Sequence, residues 1–272
     1  MMDGGEFIPV KSDILFRLFF ADERNAECLV CFLKSVLRLP DDDYDEIEIT
    51  DPNLLPEFPG DKLGVIDVKL RTKHRKIIHI EIQLSVTPEM RERIIYYDAK
   101  LITEQVSSGE QYDVIKRVIS ILITDKRLIP NSQKYHHRFT LYDPSAEVEL
   151  SDLLEINTLE LLKLPESADG TALYDWARFI AAESREELAM IKNPQVKKAV
   201  VKYLELTADE RARDLYERRE KERRDMVSRE RWAARQTQLE IAKNALQMNL
   251  TDDDIAKMTG LTLEEVALLH SQ

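Results

Sequence analysis

The sequence predicts a mixed α/β fold, in which helices flank a central sheet of mixed strand direction and a helical extension follows. Three observations predict it. Two alternating apolar runs within residues 64–84 predict a hairpin, and the continuous apolar run at residues 118–123 predicts a central strand that is buried on both faces. Segments with helical apolar spacing lie before, between and after these strands. This order of elements is typical of a sheet covered by helices.

The segment ahead of the hairpin predicts a helix that begins at Ser12 or Asp13, either of which can cap it, and that carries the apolar stripe of KSDILFRLFF. The other elements expected here are a helix at residues 25–39 that ends before Pro40, an acidic loop at residues 41–45, a short strand around Ile47 and Ile49, and a proline-containing loop at residues 51–60.

The hairpin carries the functional argument. Its two runs flank a polar, basic connector at residues 71–75, and each run has an apolar face and a polar face because side chains alternate along a strand. A turn centred near His74 places Asp67 directly across from Glu81. Two carboxylates in that position repel each other, so a divalent cation between them is the obvious compensation. From the residues alone, the alternative is an ordinary solvated sheet face.

The segment after the hairpin predicts a helix that opens at residues 87–89, since proline suits a first helical turn. Two apolar stripes, one from Met90 to Leu101 and the other from Ile95 to Val106, predict that most of its circumference is buried. An outer strand at residues 135–142 and a strand at residues 155–163 follow. His136 and His137 are interpreted as ordinary strand residues, because no acidic or sulfur partner is near them in sequence.

The C-terminal part predicts helices only, from Thr171 onward. Residues 208–248 form a long, heavily charged helical stretch with a sparse apolar stripe, which we expect to be an arm that connects to the core or forms a homodimer beside it. Two short helices joined at Gly260 then resemble a helix-turn-helix, with Thr262 and Glu265 as a capping box. The second of these helices has no Arg or Lys to reach DNA, so a packing or partner-binding unit is the alternative. The expected domains are residues 1–170, 171–248 and 249–272.

Composition narrows the class of protein. The net charge of −12 argues against a protein that coats nucleic acid by bulk electrostatics. No signal peptide or membrane-spanning apolar run is present, so we expect a soluble, cytoplasmic protein without a membrane partner. The lone pair Cys28 and Cys31 has no second pair to complete a zinc site, and we expect both to be core thiols. A basic cluster in and after the hairpin connector is either a phosphate-facing patch or a solvated turn.

Several segments, in this order and spacing, are similar to one known family. They are KSDILFRLFF, GVIDVKL, HIEIQ, TPEMRERIIYYDAKLITEQVSSGEQY, VISILIT and IAKMTGLTLEEVALL. Together they resemble the recombination-promoting nuclease and transposase family, a branch of the PD-(D/E)xK nuclease superfamily, over residues 10–165 and the C-terminal tail. The resemblance implies a restriction-endonuclease-like core and metal-dependent cleavage of DNA phosphodiester bonds in recombination or transposition.

The resemblance also implies roles for individual residues. Asp67 matches the central aspartate of the family and Glu81 the glutamate of its ExQ motif. Both would bind Mg²⁺ or another divalent cation, with the backbone carbonyl of Ile82 as a third ligand. Asp13 matches the acidic residue of the first helix, where it binds a second metal, orients a water or only caps the helix. Tyr97, Lys100 and Gln105 match recurrent positions on the helix after the motif.

Gln83 departs from the superfamily pattern, because much of the superfamily has a lysine at this position. A glutamine amide donates a hydrogen bond but carries no charge. We therefore expect either Lys69 or Lys100 to supply the catalytic cation, or catalysis to be slow. The residues expected to bind nucleic acid are Arg71, Lys73, Arg75 and Arg91. Two other functions stay open: a nuclease fold without activity that serves as a binding or assembly module, and cleavage of RNA.

Overall fold

A computed structural model describes residues 7–53, 66–84 and 87–270. Its strands are β1 (Ile47–Thr50), β2 (Val68–Thr72), β3 (Ile77–Gln83), β4 (Val118–Thr124), β5 (His136–Asp143) and β6 (Val148–Glu160). Its α-helices are α1 (Asp13–Phe20), α2 (Ala26–Val36), α3 (Met90–Thr103), α4 (Ala172–Ala181), α5 (Arg185–Ala189), α6 (Pro194–Ala208), α7 (Glu210–Gln247), α8 (Asp252–Thr259) and α9 (Leu263–Leu269).

The strands of the described residues form one six-stranded sheet in the order β1-β2-β3-β4-β6-β5. β1, β2 and β3 pair antiparallel, β3, β4 and β6 pair parallel, and β5 pairs antiparallel with β6 at the far edge. The parallel pair of β3 and β4 needs a crossover, which α3 provides. All seven residues of β4 are buried, as its continuous apolar sequence predicts. The mixed α/β fold expected from the sequence is therefore confirmed.

The predicted hairpin between β2 and β3 is confirmed in its register. Val68 pairs with Ile80 and Lys69 with His79, which is the pairing that a turn centred near His74 requires. Arg75 has a φ of 64°, a conformation that non-glycine residues adopt rarely and mostly in turns. The start of the predicted hairpin, residues 64–65, lies outside the described residues, as do residues 54–60 of the loop before it.

An aromatic cluster joins the N-terminal helices to helices that come after residue 170. The ring of Phe20 in α1 lies 6.1 Å from Trp176 in α4, and Phe32 in α2 lies 5.7 Å from the same indole. Phe19 contacts both Phe179 in α4 and Tyr203 in α6. All six side chains are almost completely buried. A boundary at residue 170 therefore does not separate two hydrophobic cores.

The chain divides into two compact units, Met1–Arg213 and Asp214–Gln272. In the second unit, α8 and α9 pack on the end of α7 through small and branched apolar side chains. Gly260 adopts the left-handed conformation between the two short helices, and Thr262 and Glu265 form the predicted capping box. The buried residues of this cluster are Ala242, Ala245, Ile255, Leu261 and Val266. The three expected domains and the expected homodimer stay predictions.

Several boundaries predicted from the sequence are wrong. The second helix ends at Val36 rather than at residue 39, because Leu37 turns to an extended conformation ahead of Pro40. The strand predicted at residues 155–163 begins earlier, at Val148, because its first half pairs with β5 in a long hairpin. It ends at Glu160 and continues as a short 3₁₀ turn.

Two predictions about burial also need correction. The buried face of α3 is narrower than predicted, because Ile95 is 52% exposed and the interior face carries Asp98 and Lys100 instead. The acidic segment predicted as a loop is a 3₁₀ turn, Asp41–Tyr44, whose Asp43 is completely buried. Asp43 accepts hydrogen bonds from Thr72 and Lys76, which are distant in sequence and could not be anticipated from the residues around Asp43.

Cys28 is buried in α2, as expected for a core thiol, whereas Cys31 is only partly buried. Burial raises the pKa of both thiols. Among the described residues, no helix has both the length and the apolar character that crossing a membrane requires.

Trp176→Ala tests whether the aromatic cluster belongs to one cooperative core. We expect it to lower the free energy of unfolding by about 3–5 kcal/mol, because it removes a buried indole and leaves a cavity. Trp232→Ala is the matched control, since that indole is 67% exposed, and we expect a change within about 0.5 kcal/mol. Urea unfolding followed by circular dichroism measures both. Equal losses for the two variants would contradict the shared core.

Candidate active site

Asp67 and Glu81 meet at the edge of the sheet where β2 begins and β3 ends. The register that pairs Val68 with Ile80 places Asp67, one residue earlier, opposite Glu81. The backbone N–H of Ile82 donates a hydrogen bond of 2.7 Å to Oδ2 of Asp67, which fixes this carboxylate against β3. Glu81 is almost completely buried. The hairpin thus brings together two acidic side chains that are 14 positions apart in the sequence.

The environment of these two groups favours their protonated forms. Burial raises the pKa of Asp67 to about 6, although the N–H of Ile82 and the charge of Arg17 act in the opposite direction. Burial, and then the negative charge of Asp67, raise the pKa of Glu81 to about 7 against the effect of Arg93. Two carboxylates whose pKa values rise together mark a place where a further positive charge would be stabilising.

Arg93 is a further residue of this site, which sequence reasoning counted only as a member of the basic cluster in and after the hairpin connector. Its Nη2 donates to Oε1 of Glu81, and its Nε donates to the hydroxyl of Tyr97 at 3.2 Å. The guanidinium also lies over the Tyr97 ring, 5.3 Å from the centroid. The only signal in the sequence is the spacing of four residues between Arg93 and Tyr97, which places them on one face of α3. Nothing local in sequence indicates that this face meets Glu81.

A buried polar network holds α3 against the sheet beside the site. Nε2 of His79 in β3 lies 2.7 Å from Oδ1 of Asp98 in α3. The hydroxyl of Ser120 in β4 donates to both oxygens of Asp98, at 2.9 and 2.8 Å. All three side chains are completely buried. Because His79 and Glu81 lie on one face of β3, this network also positions the first turns of α3 over Glu81.

The N-cap of α1 is Ser12, which makes no side-chain cap hydrogen bond, and Asp13 is the first helical residue. Its Oδ1 accepts a hydrogen bond from the N–H of Ile14, and its charge contributes to the raised pKa of Asp67. Among the described residues, no group of three or more His, Cys, Asp and Glu side chains is arranged to hold a metal ion. Asp13 therefore does not complete a three-carboxylate cluster with Asp67 and Glu81, and its role in metal binding stays a prediction.

The residues expected to compensate for Gln83 have partners elsewhere. Nζ of Lys69, opposite His79, lies 3.7 Å from a carboxylate oxygen of Glu104. Nζ of Lys100 lies 5.4 Å from the ring centroid of Tyr96. The catalytic role of either lysine stays a prediction. Gln105 bridges α3 to the segment before β4, because its amide contacts backbone groups of Lys116 and Leu101.

The basic hairpin connector is partly neutralised by the acidic turn that precedes β1. Lys73 lies 3.1 Å from Asp45, and Lys76 donates to the buried Asp43 at 2.5 Å. Arg71 and Arg75 are exposed and line an open cavity of about 1040 Å³ together with Lys69 and Lys116. Arg91 is exposed on α3. The expectation that these residues bind nucleic acid stays a prediction.

The donor set of the carboxylate pair fits a hard divalent cation. Oε2 of Glu81 is buried and has no hydrogen-bond partner among the described residues, although a buried carboxylate oxygen is normally satisfied. The two carboxylates face each other from adjacent strands. Mg²⁺ uses one or two carboxylates and keeps several waters, so a sparse set of this kind suits it better than it suits calcium or zinc.

The order of strands and helices, with a parallel crossover after an antiparallel hairpin that carries the acidic pair, defines a PD-(D/E)XK α/β fold. The comparisons with known proteins agree. The family model for the PD-(D/E)XK nuclease family transposase matches residues 10–232, and the chain belongs to this family. The searches of curated proteins and of solved structures each gave no match.

The raised pKa values predict how stability depends on pH without metal. The folded protein holds protons on Asp67 and Glu81 that the unfolded chain releases near pH 4. This stabilisation is therefore complete below pH 4 and is lost as the pH rises through about 6 and 7. In EDTA, we expect the free energy of unfolding of the wild type to fall between pH 5 and 8. We expect this fall to be smaller by about 2–3 kcal/mol in Glu81→Gln, which has no carboxyl group to titrate at this position. Urea titrations at several pH values measure this difference, and parallel curves for both proteins would contradict it.

Proposed function

We propose that the protein is a divalent-metal-dependent DNA endonuclease that acts in recombination or transposition. The observation that carries this proposal is the facing pair of Asp67 and Glu81, with one buried oxygen of Glu81 lacking a partner among the described residues. Membership of the PD-(D/E)XK nuclease family transposases supports a nuclease-like role. Mg²⁺ is the cation that suits the donor set best.

We assign each residue of the site a separate role in binding the cation, the water or the phosphate. Asp67 and Glu81 would hold the cation, with the backbone carbonyl of Ile82 as a further ligand, and Asp13 would orient a water at the start of α1. A bound divalent cation lowers the pKa of its water and polarises the phosphoryl oxygen. The hydrogen bond from Ile82 keeps Asp67 in place before the cation arrives, so little reorganisation is needed on binding. Gln83, on the same strand face as Glu81, donates a neutral hydrogen bond to the phosphate or the water.

The proposed nucleic-acid contacts are exposed cations at the start of α3 and at the hairpin connector, which lies at the opposite end of β2 and β3 from Asp67 and Glu81. Arg71, Arg75 and Arg91 are exposed, and Lys73 is held only by a solvent-exposed ion pair, which is weak. Contacts of these residues with phosphates would give affinity that falls with salt, independent of sequence. Binding of nucleic acid through a few local cations does not require a net positive charge. It is therefore compatible with the net charge of −12.

Asp67→Asn tests the proposal. We expect it to lower the rate of nicking of supercoiled plasmid in Mg²⁺ by more than about 100-fold, because a carboxylate ligand is lost while side-chain size is kept. Asp113→Asn is the matched control, since Asp113 is exposed in a short turn before β4, and we expect a change within about twofold. Gel electrophoresis measures the nicked fraction with Mg²⁺ and with EDTA.

Two outcomes would contradict the proposal. Wild-type nicking that persists in EDTA would exclude a metal-dependent reaction. Equal activities of the wild type and Asp67→Asn would exclude Asp67 from the site. Repeating the assay with RNA tests the lesser alternative, that the substrate is RNA.

A second candidate function is a nuclease fold that binds partners without cleaving DNA. The neutral Gln83 at the motif position favours it, because the usual lysine charge is missing. On this reading the protein would neither bind Mg²⁺ in calorimetry nor nick plasmid. A homodimer through the charged α7 and a cytoplasmic location stay predictions in either case.

A further inference from the structure

We propose that Arg93 supplies the positive charge that Gln83 lacks, by exchanging its contact with Glu81 for a phosphate oxygen of the bound nucleic acid. This inference rests on the proposed nuclease function and deepens it. It assigns Arg93 two successive partners: the carboxylate of Glu81 in the metal-free protein, and the scissile phosphate when the cation and the nucleic acid are bound.

The contacts that hold Arg93 leave part of its guanidinium available to bind a phosphate. Nε donates to the hydroxyl of Tyr97, and the ring of Tyr97 lies beneath the guanidinium. Nη2 donates to Glu81, whereas Nη1 makes no hydrogen bond within the part of the chain that the structure describes. The tyrosine therefore fixes the position of the guanidinium even when one of its other nitrogens changes partner.

Arg93 is more exposed than the carboxylate that it contacts. Its side chain is 37% exposed, whereas that of Glu81 is 5% exposed. A phosphate in solution can therefore reach the guanidinium more readily than it reaches Glu81. The planar fork of arginine N–H groups matches the geometry of phosphate oxygens, and guanidinium is more weakly hydrated than an ammonium group.

The other cations near the motif are less suited to this role. Lys69 interacts with Glu104, and Lys100 with the ring of Tyr96. Arg17 in α1 lowers the pKa of Asp67, but Arg93 lowers that of both Asp67 and Glu81. Within the described ranges, Arg93 contacts Glu81, and its charge also acts on Asp67.

The change of partner by Arg93, from Glu81 to a phosphate, follows from the charges of the groups around it. Without metal, Arg93 reduces the repulsion between the buried carboxylate of Glu81 and the half-buried carboxylate of Asp67. A cation that binds Glu81 competes with the guanidinium for the same carboxylate, so metal binding alone leaves Arg93 without its strongest partner. An incoming phosphate offers an equivalent anionic partner. The charge of Arg93 then lies beside the reacting group, where a fixed donor stabilises the developing negative charge.

Arg93→Gln and Arg93→Lys in the full-length protein test this assignment by two measurements. In single-turnover plasmid nicking with Mg²⁺, we expect Arg93→Gln to lower the rate by about 10²–10³-fold and Arg93→Lys to recover part of the loss, because lysine keeps the charge without the fork. In calorimetry with Mg²⁺ and no DNA, we expect Arg93→Gln to bind the ion at least as tightly as the wild type, because the competing guanidinium is gone.

The control is Arg24→Gln, which also breaks an arginine–carboxylate pair, that with Asp22, but one whose arginine is 86% exposed. We expect it to change neither measurement by more than about twofold. A merely structural role for Arg93 would weaken Mg²⁺ binding and cleavage together and would not distinguish Arg93→Lys from Arg93→Gln.

These measurements distinguish a wrong assignment of Arg93 from a wrong nuclease proposal. Nicking by Arg93→Gln within threefold of the wild-type rate, or a loss of Mg²⁺ affinity in that variant, overturns the assignment of Arg93 while Mg²⁺-dependent cleavage by the wild type leaves the nuclease proposal standing. Absence of Mg²⁺-dependent cleavage by the wild type overturns the nuclease proposal, and the role of Arg93 falls with it.

Discussion

Repulsion between two facing carboxylates, that of the half-buried Asp67 and that of the buried Glu81, is the constraint on which the site depends. The β2–β3 hairpin forces Asp67 and Glu81 to face each other, and burial prevents water from screening their charges. The structure compensates with a backbone N–H on Asp67, the guanidinium of Arg93 on Glu81 and the nearby charge of Arg17. A protein that needed only a stable sheet edge would be better served by neutral residues here. The divalent cation that we propose would relieve this repulsion.

The rest of the core serves to hold these groups in place. The His79, Asp98 and Ser120 network joins β3, α3 and β4 by hydrogen bonds that a displaced helix could not make. The crossover through α3 is required because β3 and β4 are parallel, and it brings Arg93 over the end of β3. The aromatic cluster ties α4 and α6 to α1, the helix that presents Asp13 and Arg17. Rigidity of this kind is what keeps two repelling groups at a fixed separation.

The parts of the site that sequence reasoning predicted are those set by local periodicity. Strict alternation and a central turn were enough to predict that Asp67 faces Glu81. Arg93 could not be found in this way, because its partner lies on another element and only the packing of α3 on the sheet brings them together. The burial of Asp43 could not be predicted for the same reason, because its partner Lys76 lies 33 positions later in the sequence, just before β3. The narrow buried face of α3 also follows from tertiary contacts, since the sequence of that helix is apolar on more than one side.

The central claim is that Asp67 and Glu81 jointly hold a divalent cation. A crystal structure of the protein with Mn²⁺, located by its anomalous scattering, tests this most directly. The account predicts one strong anomalous peak between the two carboxylates, with the guanidinium of Arg93 turned away from Glu81. A peak elsewhere, or an unoccupied pair with the contact between Arg93 and Glu81 intact at saturating Mn²⁺, would contradict it.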